Sequence, residues 1–202
     1  MEIQIAATIA IVAIGGVAAM GCDDPPEQSA VFIFAVEQTL GFEGGFGDDP
    51  DDPGGPTNKG LNERYDRPEL LRVGVDNIGD LTTAQAIDIY HNKYWQGVGG
   101  DMLPPRIAVA VFDHGVLSGP GTAVRSLQRI VGAVPDGKVG PKTLAAIRTF
   151  REGVILRRLL DARMDGFRAV IRKHPAKAKY LNGWINRVNK LAEILIEMGK
   201  HE

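Results

Sequence analysis

Apolar side chains recur at intervals of three and four along most of this chain, the spacing that lays a single stripe down a helix. Val31, Phe34, Ala35 and Gln38 lead toward Glu43, with Ser29 placed to cap the segment. Thr82-Thr-Ala-Gln85 reads as a capping box for a helix through Trp95 that carries Ile87, Tyr90, His91 and Tyr94 at helical spacing. Pro104-Pro105 opens another helix, with Ile107, Ala108, Val111 and Phe112 on its apolar face. A break from Gly115 to Gly121 precedes a helix from Ala123 to Val131, which Gly132 ends. Pro135-Asp-Gly137 is a turn and Gly140-Pro141 starts the next helix. Two long stripes close the pattern: Leu156, Leu160, Met164, Phe167 and Ile171, then Leu181, Trp184, Ile185, Val188, Leu191 and Leu195. Nothing reads as a long sheet, so the predicted fold class is mainly α with at most a small β-hairpin.

Two stretches depart from the stripe. Ile3 to Met20 carries no charge, but eight of its 18 residues are Ala or Gly. As a helix it would span about 27 Å, just enough for a bilayer core. Its five isoleucines and two valines favour insertion by about 2 to 4 kcal/mol, much of it offset by the glycines and by Gln4 and Thr8. Insertion is therefore marginal, which fits a signal-anchor segment that can be released. An ordinary signal peptide would start with basic residues, whereas this chain starts Met1-Glu2. Cys22 after Gly21 leaves a lipoprotein site open, and a buried soluble helix is the third reading. The polar run Cys22 to Gln28 closes the segment.

The second departure runs from Glu43 to Gly60, EGGFGDDPDDPGGPTNKG. Most DDPDD segments are solvated turns, since Asp, Pro and Gly are ordinary turn residues. Here a lone glutamate follows an apolar helix and sits between Phe42 and Phe46. An apolar setting and the negative helix end both push its carboxyl group's pKa upward, as a general acid near neutral pH requires. The aspartates beyond it stay ionised in water. Two carboxyl groups in unlike environments are what hydrolysis of a glycosidic bond needs.

Composition narrows the partners. At 202 residues and 44% hydrophobic the chain can build one substantial domain or two small ones. Its net charge of −2 hides a division: residues 1–120 hold 6 Lys and Arg against 18 Asp and Glu, and residues 121–202 hold 17 against 7. A basic second half suits an anionic surface, although Arg157, Arg158, Arg168, Arg172 and Lys173 would equally solvate the outside of a long helix. No nucleic-acid motif accompanies the charge, and aromatics are only 6% of the chain, so nucleic acid is not an expected partner. A single cysteine excludes an intrachain disulfide and any cysteine metal site. The histidines lack ligand spacing and DDPDDPGG lacks the order of a calcium loop, so no metal or cofactor is expected. The expected divisions are 1–22, an anchor; 29–120, a catalytic domain; and 121–202, a helical binding region.

E-G-G-F, D-P-D-D-P-G-G and T-N-K-G together resemble the signature of glycoside hydrolase family 108, lysozyme-like muramidases of phages and bacteria. LTTAQAIDIYHNKYW from Leu81 resembles that family's second landmark. LQRIVGAVPDGKVGPKTLAAI from Leu127 and YLNGWINRVNKL from Tyr180 resemble the peptidoglycan-binding region that often follows. The resemblance implies a lysozyme-like helical fold and cleavage of the bond between N-acetylmuramic acid and N-acetylglucosamine. It also implies a Glu, Asp and Thr in that order: Glu43 as acid, with Asp52 and Thr57 holding a water. Glu43 to Asp52 leaves the typical eight residues between them, but Asp52 to Thr57 leaves four where five is typical. Asp51 restores the second gap and breaks the first, and Asp48 or Asp49 would serve in a different loop path. Phe46, Asp51 and Trp95 are candidate substrate contacts, Trp95 being either core or a cleft wall. The implied partners are peptidoglycan and, through the anchor, the inner membrane; the protein would be a monomer, held there and then periplasmic, or else secreted. A cell-wall-binding or secretion-accessory protein without chemistry and a lytic transglycosylase, which needs one glutamate and no positioned water, are the rivals.

Overall fold

The computed structural model describes residues 30–42, 46–48 and 55–200. The anchor segment, Cys22, Ser29, Glu43, Asp49, Asp51 and Asp52 lie outside the described residues. Among the described residues no helix is long and apolar enough to cross a membrane.

Helix α1 (Ala30–Phe42) buries Phe32, Ala35, Val36 and Thr39, one position away from the stripe expected at Val31 and Phe34. Its sequence AVFIFAV is apolar all round, so periodicity does not choose a face. Neighbouring aromatics choose it instead. Phe32 meets His91, Trp95 and Phe112 with ring centroids 4.9, 5.6 and 6.3 Å away. Burial of one such ring is worth about 1.5–3 kcal/mol.

Strands β1 (Thr57–Asn58) and β2 (Leu61–Asn62) form one antiparallel hairpin with Thr57 opposite Asn62 and Asn58 opposite Leu61. The two-residue turn needs left-handed backbone at both positions, and Lys59 (φ 50°) and Gly60 (φ 75°) supply it. Helix α2 (Arg67–Arg72) and a short 3-10 turn (Ile78–Asp80) lead to α3 (Thr83–Ile89), which starts at the expected capping box: Thr82 accepts from the Gln85 amide and Gln85 accepts from the Thr82 amide. The helix then widens into a π-helical turn (Tyr90–Trp95), where the Gln96 amide bonds back five residues to the His91 carbonyl. It resumes as α4 (Gln96–Val98), three residues beyond its expected end.

Helix α5 (Pro105–Ser118) is the hub, packed against α1, α6 (Pro120–Ile130), α8 (Glu152–Lys173) and α9 (Leu181–Met198). The break expected across seven residues is a single residue: Gly119, at φ 83°, separates α5 from α6. Between α6 and α7 (Pro141–Ile147), Gln128 is buried and organises the turn, donating to Asp136 Oδ1 at 2.7 Å, the Lys138 carbonyl at 3.0 Å and Thr143 Oγ1 at 3.1 Å. One apolar core runs from Phe32 to Leu195, through both halves.

Polar contacts also cross the halves. Arg106 at the start of α5 donates to the Leu195 carbonyl (3.0 Å) and pairs with Glu152 (3.0 Å). Farther along α5, Asp113 divides its carboxylate between Arg163 of α8, through Oδ2, and Arg187 of α9, through Oδ1 at 3.0 Å. Asp113 and Arg163 are each 3% exposed. The inward face of α8 is thus Ile155, Leu156, Leu159, Arg163 and Phe167, and Leu160, Met164 and Ile171 of the expected stripe are only partly buried. The stripe was drawn from apolar residues alone, so an inward-facing charged residue fell off it.

Candidate active site

The T-N-K-G motif is a clamp, and each of its residues has a structural task. Thr57 exchanges backbone hydrogen bonds with Gly47, whose amide donates to the Thr57 carbonyl at 2.9 Å and whose carbonyl accepts from the Thr57 amide at 2.7 Å. This bridge fixes one point of the acidic segment against β1. The Thr57 hydroxyl lies 3.4 Å from the same carbonyl, a weak bond that a better acceptor would displace. A side chain at position 47 would crowd that hydroxyl, since a Cβ there would lie 3.3 Å from it.

Asn58 is buried and donates to the carbonyls of Ile78 (2.9 Å) and Gly79 (3.3 Å), stapling the hairpin to the 3-10 turn. Lys59 offers its carbonyl to the Tyr90 hydroxyl at 2.8 Å. Just beyond, Asp66 is 1% exposed yet fully engaged, accepting from the Asn62 amide, Lys93 and the Tyr94 hydroxyl, each at 2.7 Å. Burial, reinforced by the Asp66 charge, raises the Tyr94 pKa, so the phenol stays protonated and remains a donor. Glu63 caps this arrangement, binding Arg67 at 2.6 Å and accepting from the Ile78 amide at 3.2 Å.

Of the residues singled out in the sequence, Thr57 stands on this rigid hairpin. Phe46 is 58% exposed and Asp48 is exposed, both on the segment that Gly47 pins. Trp95 is a correction. At 1% exposure it is core, between Phe32 and Phe112, with its indole nitrogen donating to Asp101 at 2.8 Å, so it has no face left for a sugar. Sequence reading missed Asn58, Asp66 and Tyr90, each of which has a partner 20 to 31 residues away. Among the described residues no group of three or more His, Cys, Asp or Glu side chains could hold a metal ion.

Residues 36–119, which contain the whole clamp, match Glycosyl hydrolase 108, and residues 122–189 match Predicted Peptidoglycan domain. The chain is 34% identical to Brucella abortus SagA, whose solved structure superposes with a TM-score of 0.71 over 82% of this chain and 94% of that one. The chain belongs to glycosyl hydrolase family 108. As a member it is a glycoside hydrolase of lysozyme-like type that degrades peptidoglycan, with a peptidoglycan-binding region on the same chain. No curated protein matches it. The family 108 segment ends at Gly119, and the second match begins three residues later, across the α5–α6 joint. A large cleft straddles that joint, among α5, α6, α8 and the segment from Lys177 to Trp184; none of its lining residues belongs to the hairpin.

Proposed function

We propose that the protein is a muramidase of the endolysin kind, cutting the β-1,4 bond between N-acetylmuramic acid and N-acetylglucosamine. Glu43 protonates the glycosidic oxygen, and Asp52 with Thr57 holds the attacking water on the opposite face of the sugar. The observation that carries this reading is the Gly47–Thr57 bridge: it ties a hydroxyl on a stapled hairpin to the acidic segment of a family 108 domain. A positioned hydroxyl is what a water-using enzyme needs and a transglycosylase does not. Mass spectrometry of the fragments released from purified cell wall tests it. Reducing N-acetylmuramic acid ends support hydrolysis, anhydromuramyl ends establish a transglycosylase, and no release from folded protein establishes a binding protein.

The segment Ile3 to Met20 completes the proposal. It is exported into the inner membrane, holds the enzyme idle there, and frees it into the periplasm when the membrane potential falls, so that one monomer acts on the wall at lysis. Cell fractionation before and after an uncoupler, with the N-terminus of the soluble protein sequenced, checks this. Full-length protein moving to the periplasm supports release, and a start at Cys22 refutes it.

A further inference from the structure

The cleft at the joint of the two halves has the chemistry of an anion site. Its volume is about 680 Å³, within the usual range for ligand pockets. One wall is aromatic: Phe167 and Trp184 stack with centroids 4.9 Å apart, and Tyr180 stands 6.1 Å from Trp184. Ser118, Thr122 and Ser126 also line it. Among the described residues three cations line it, Arg129, Arg163 and Lys177, and no carboxylate does.

Arg163 is the informative residue. Its bond to Asp113 uses one nitrogen, Nη1, because Asp113 gives its other oxygen to Arg187. The remaining nitrogens Nε and Nη2 are buried without a partner, as is Nδ1 of His114 beside them in the lining. Buried donors in folded proteins are almost always satisfied, and a guanidinium is built to take a carboxylate through two nitrogens at once. Asp113 holds Arg163 through Nη1, so the guanidinium is fixed before any ligand arrives.

We propose that this cleft binds a free carboxylate of the peptide stem of peptidoglycan, with Arg163 gripping the carboxylate, Arg129 and Lys177 adding charge, and the Trp184 wall covering the apolar part of the stem. The glycan itself is rich in neutral hydroxyls and gives no reason for three cations, whereas the stems carry several carboxylates. The assignment rests on the peptidoglycan reading above and adds the part of the polymer that the second half recognises.

The test uses the full chain and a synthetic alanyl-γ-glutamyl-lysine stem tripeptide, which has no sugar to occupy the hydrolytic site, followed by calorimetry and Trp184 fluorescence. Amidating all its carboxyls should weaken binding at least about tenfold. Lys177→Gln and Arg129→Gln should each weaken it several-fold, with the Arg129 and Lys177 losses shrinking at high salt. Arg163→Gln should weaken it most, with a thermal melt to show that the variant is folded; if it is unfolded, the Arg129 and Lys177 variants decide. On cell wall the same variants should raise KM and leave kcat unchanged. Equal affinity for the free and amidated tripeptide, or tighter binding of glycerol phosphate than of the tripeptide, overturns the assignment. Neither result touches the muramidase reading, which fails only on the wall-digestion products.

Discussion

The two halves of this protein treat charge in opposite ways. In the first, Asp66 is buried and takes three donors, so a negative charge is satisfied completely and serves as scaffold beneath the hairpin. In the second, Arg163 is buried as deeply but only partly satisfied, and it lines a cleft. A buried ion whose bonding capacity is filled fixes a shape, whereas one with capacity left over is poised for something else. On the function proposed above, the hairpin half supports the chemistry and the second half grips the substrate.

The sharpest way to break this division is to remove chemistry without touching structure. Glu43→Gln should lower the rate of wall hydrolysis by about 100-fold to 10,000-fold while the melting temperature and wall binding stay as they are. Turbidity clearing of purified wall measures it, and unchanged clearing removes Glu43 as the acid. Asp51→Ala and Asp52→Ala, assayed side by side, identify the second carboxylate by which of them cripples the enzyme.

The next effect is on stability. Asp113→Ala leaves the buried Arg163 and the partly buried Arg187 without their shared carboxylate, at a cost of about 3–5 kcal/mol. Because α5, α8 and α9 meet there, the whole chain should melt earlier in one transition, as measured by calorimetry. Two separate transitions would show that the halves unfold independently.

Protonation tests the contact between α5 and α8. His114 is held neutral by burial and by the nearby Arg163 charge, its pKa pushed down to about 4 from 6.5. Between these values the unfolded chain binds a proton that the folded chain does not. The stability that His114 contributes is therefore full above about pH 6.5 and lost as pH falls toward about 4, on the order of 3 kcal/mol in all. Melting curves across that range should be distinctly flatter for His114→Gln than for the natural protein.

Thr57→Ala removes the hydroxyl but keeps both backbone bonds to Gly47, so activity should drop about 10-fold to 100-fold with little change in melting temperature. The smallest effect belongs to Tyr90→Phe, which takes one hydrogen bond from the turn at Lys59 and should cost about 1 kcal/mol. A fall in kcat larger than the fall in stability would place hairpin rigidity in the catalytic step.

What the sequence made legible was local. The capping box at Thr82, the proline start of α5 and the turn at Pro135 are all written within a few neighbouring residues. The inward face of α1 was not, because an all-apolar ring has no preferred side until Trp95 and Phe112 supply one. Arg163 was not, because it becomes a core residue only through Asp113, 50 residues away. The cleft at the joint was invisible for the same reason: it is lined from four separate stretches of chain.

The wide turn at Tyr90–Trp95 carries a lesson about ancestry. At about 100° per residue a straight helix would set Trp95 roughly half a revolution away from Ala86. Both are fully in the core because the wide turn lags behind that rotation. A turn of this kind is what a single inserted residue leaves in a helix that must keep its downstream face. Excising one residue there, Asn92 for example, would restore ordinary winding and swing Trp95 away from Phe32 and Phe112. Length in this stretch is thus as much a part of the inheritance as the identity of any side chain, and a relative one residue shorter here would need a differently shaped aromatic to fill the same space.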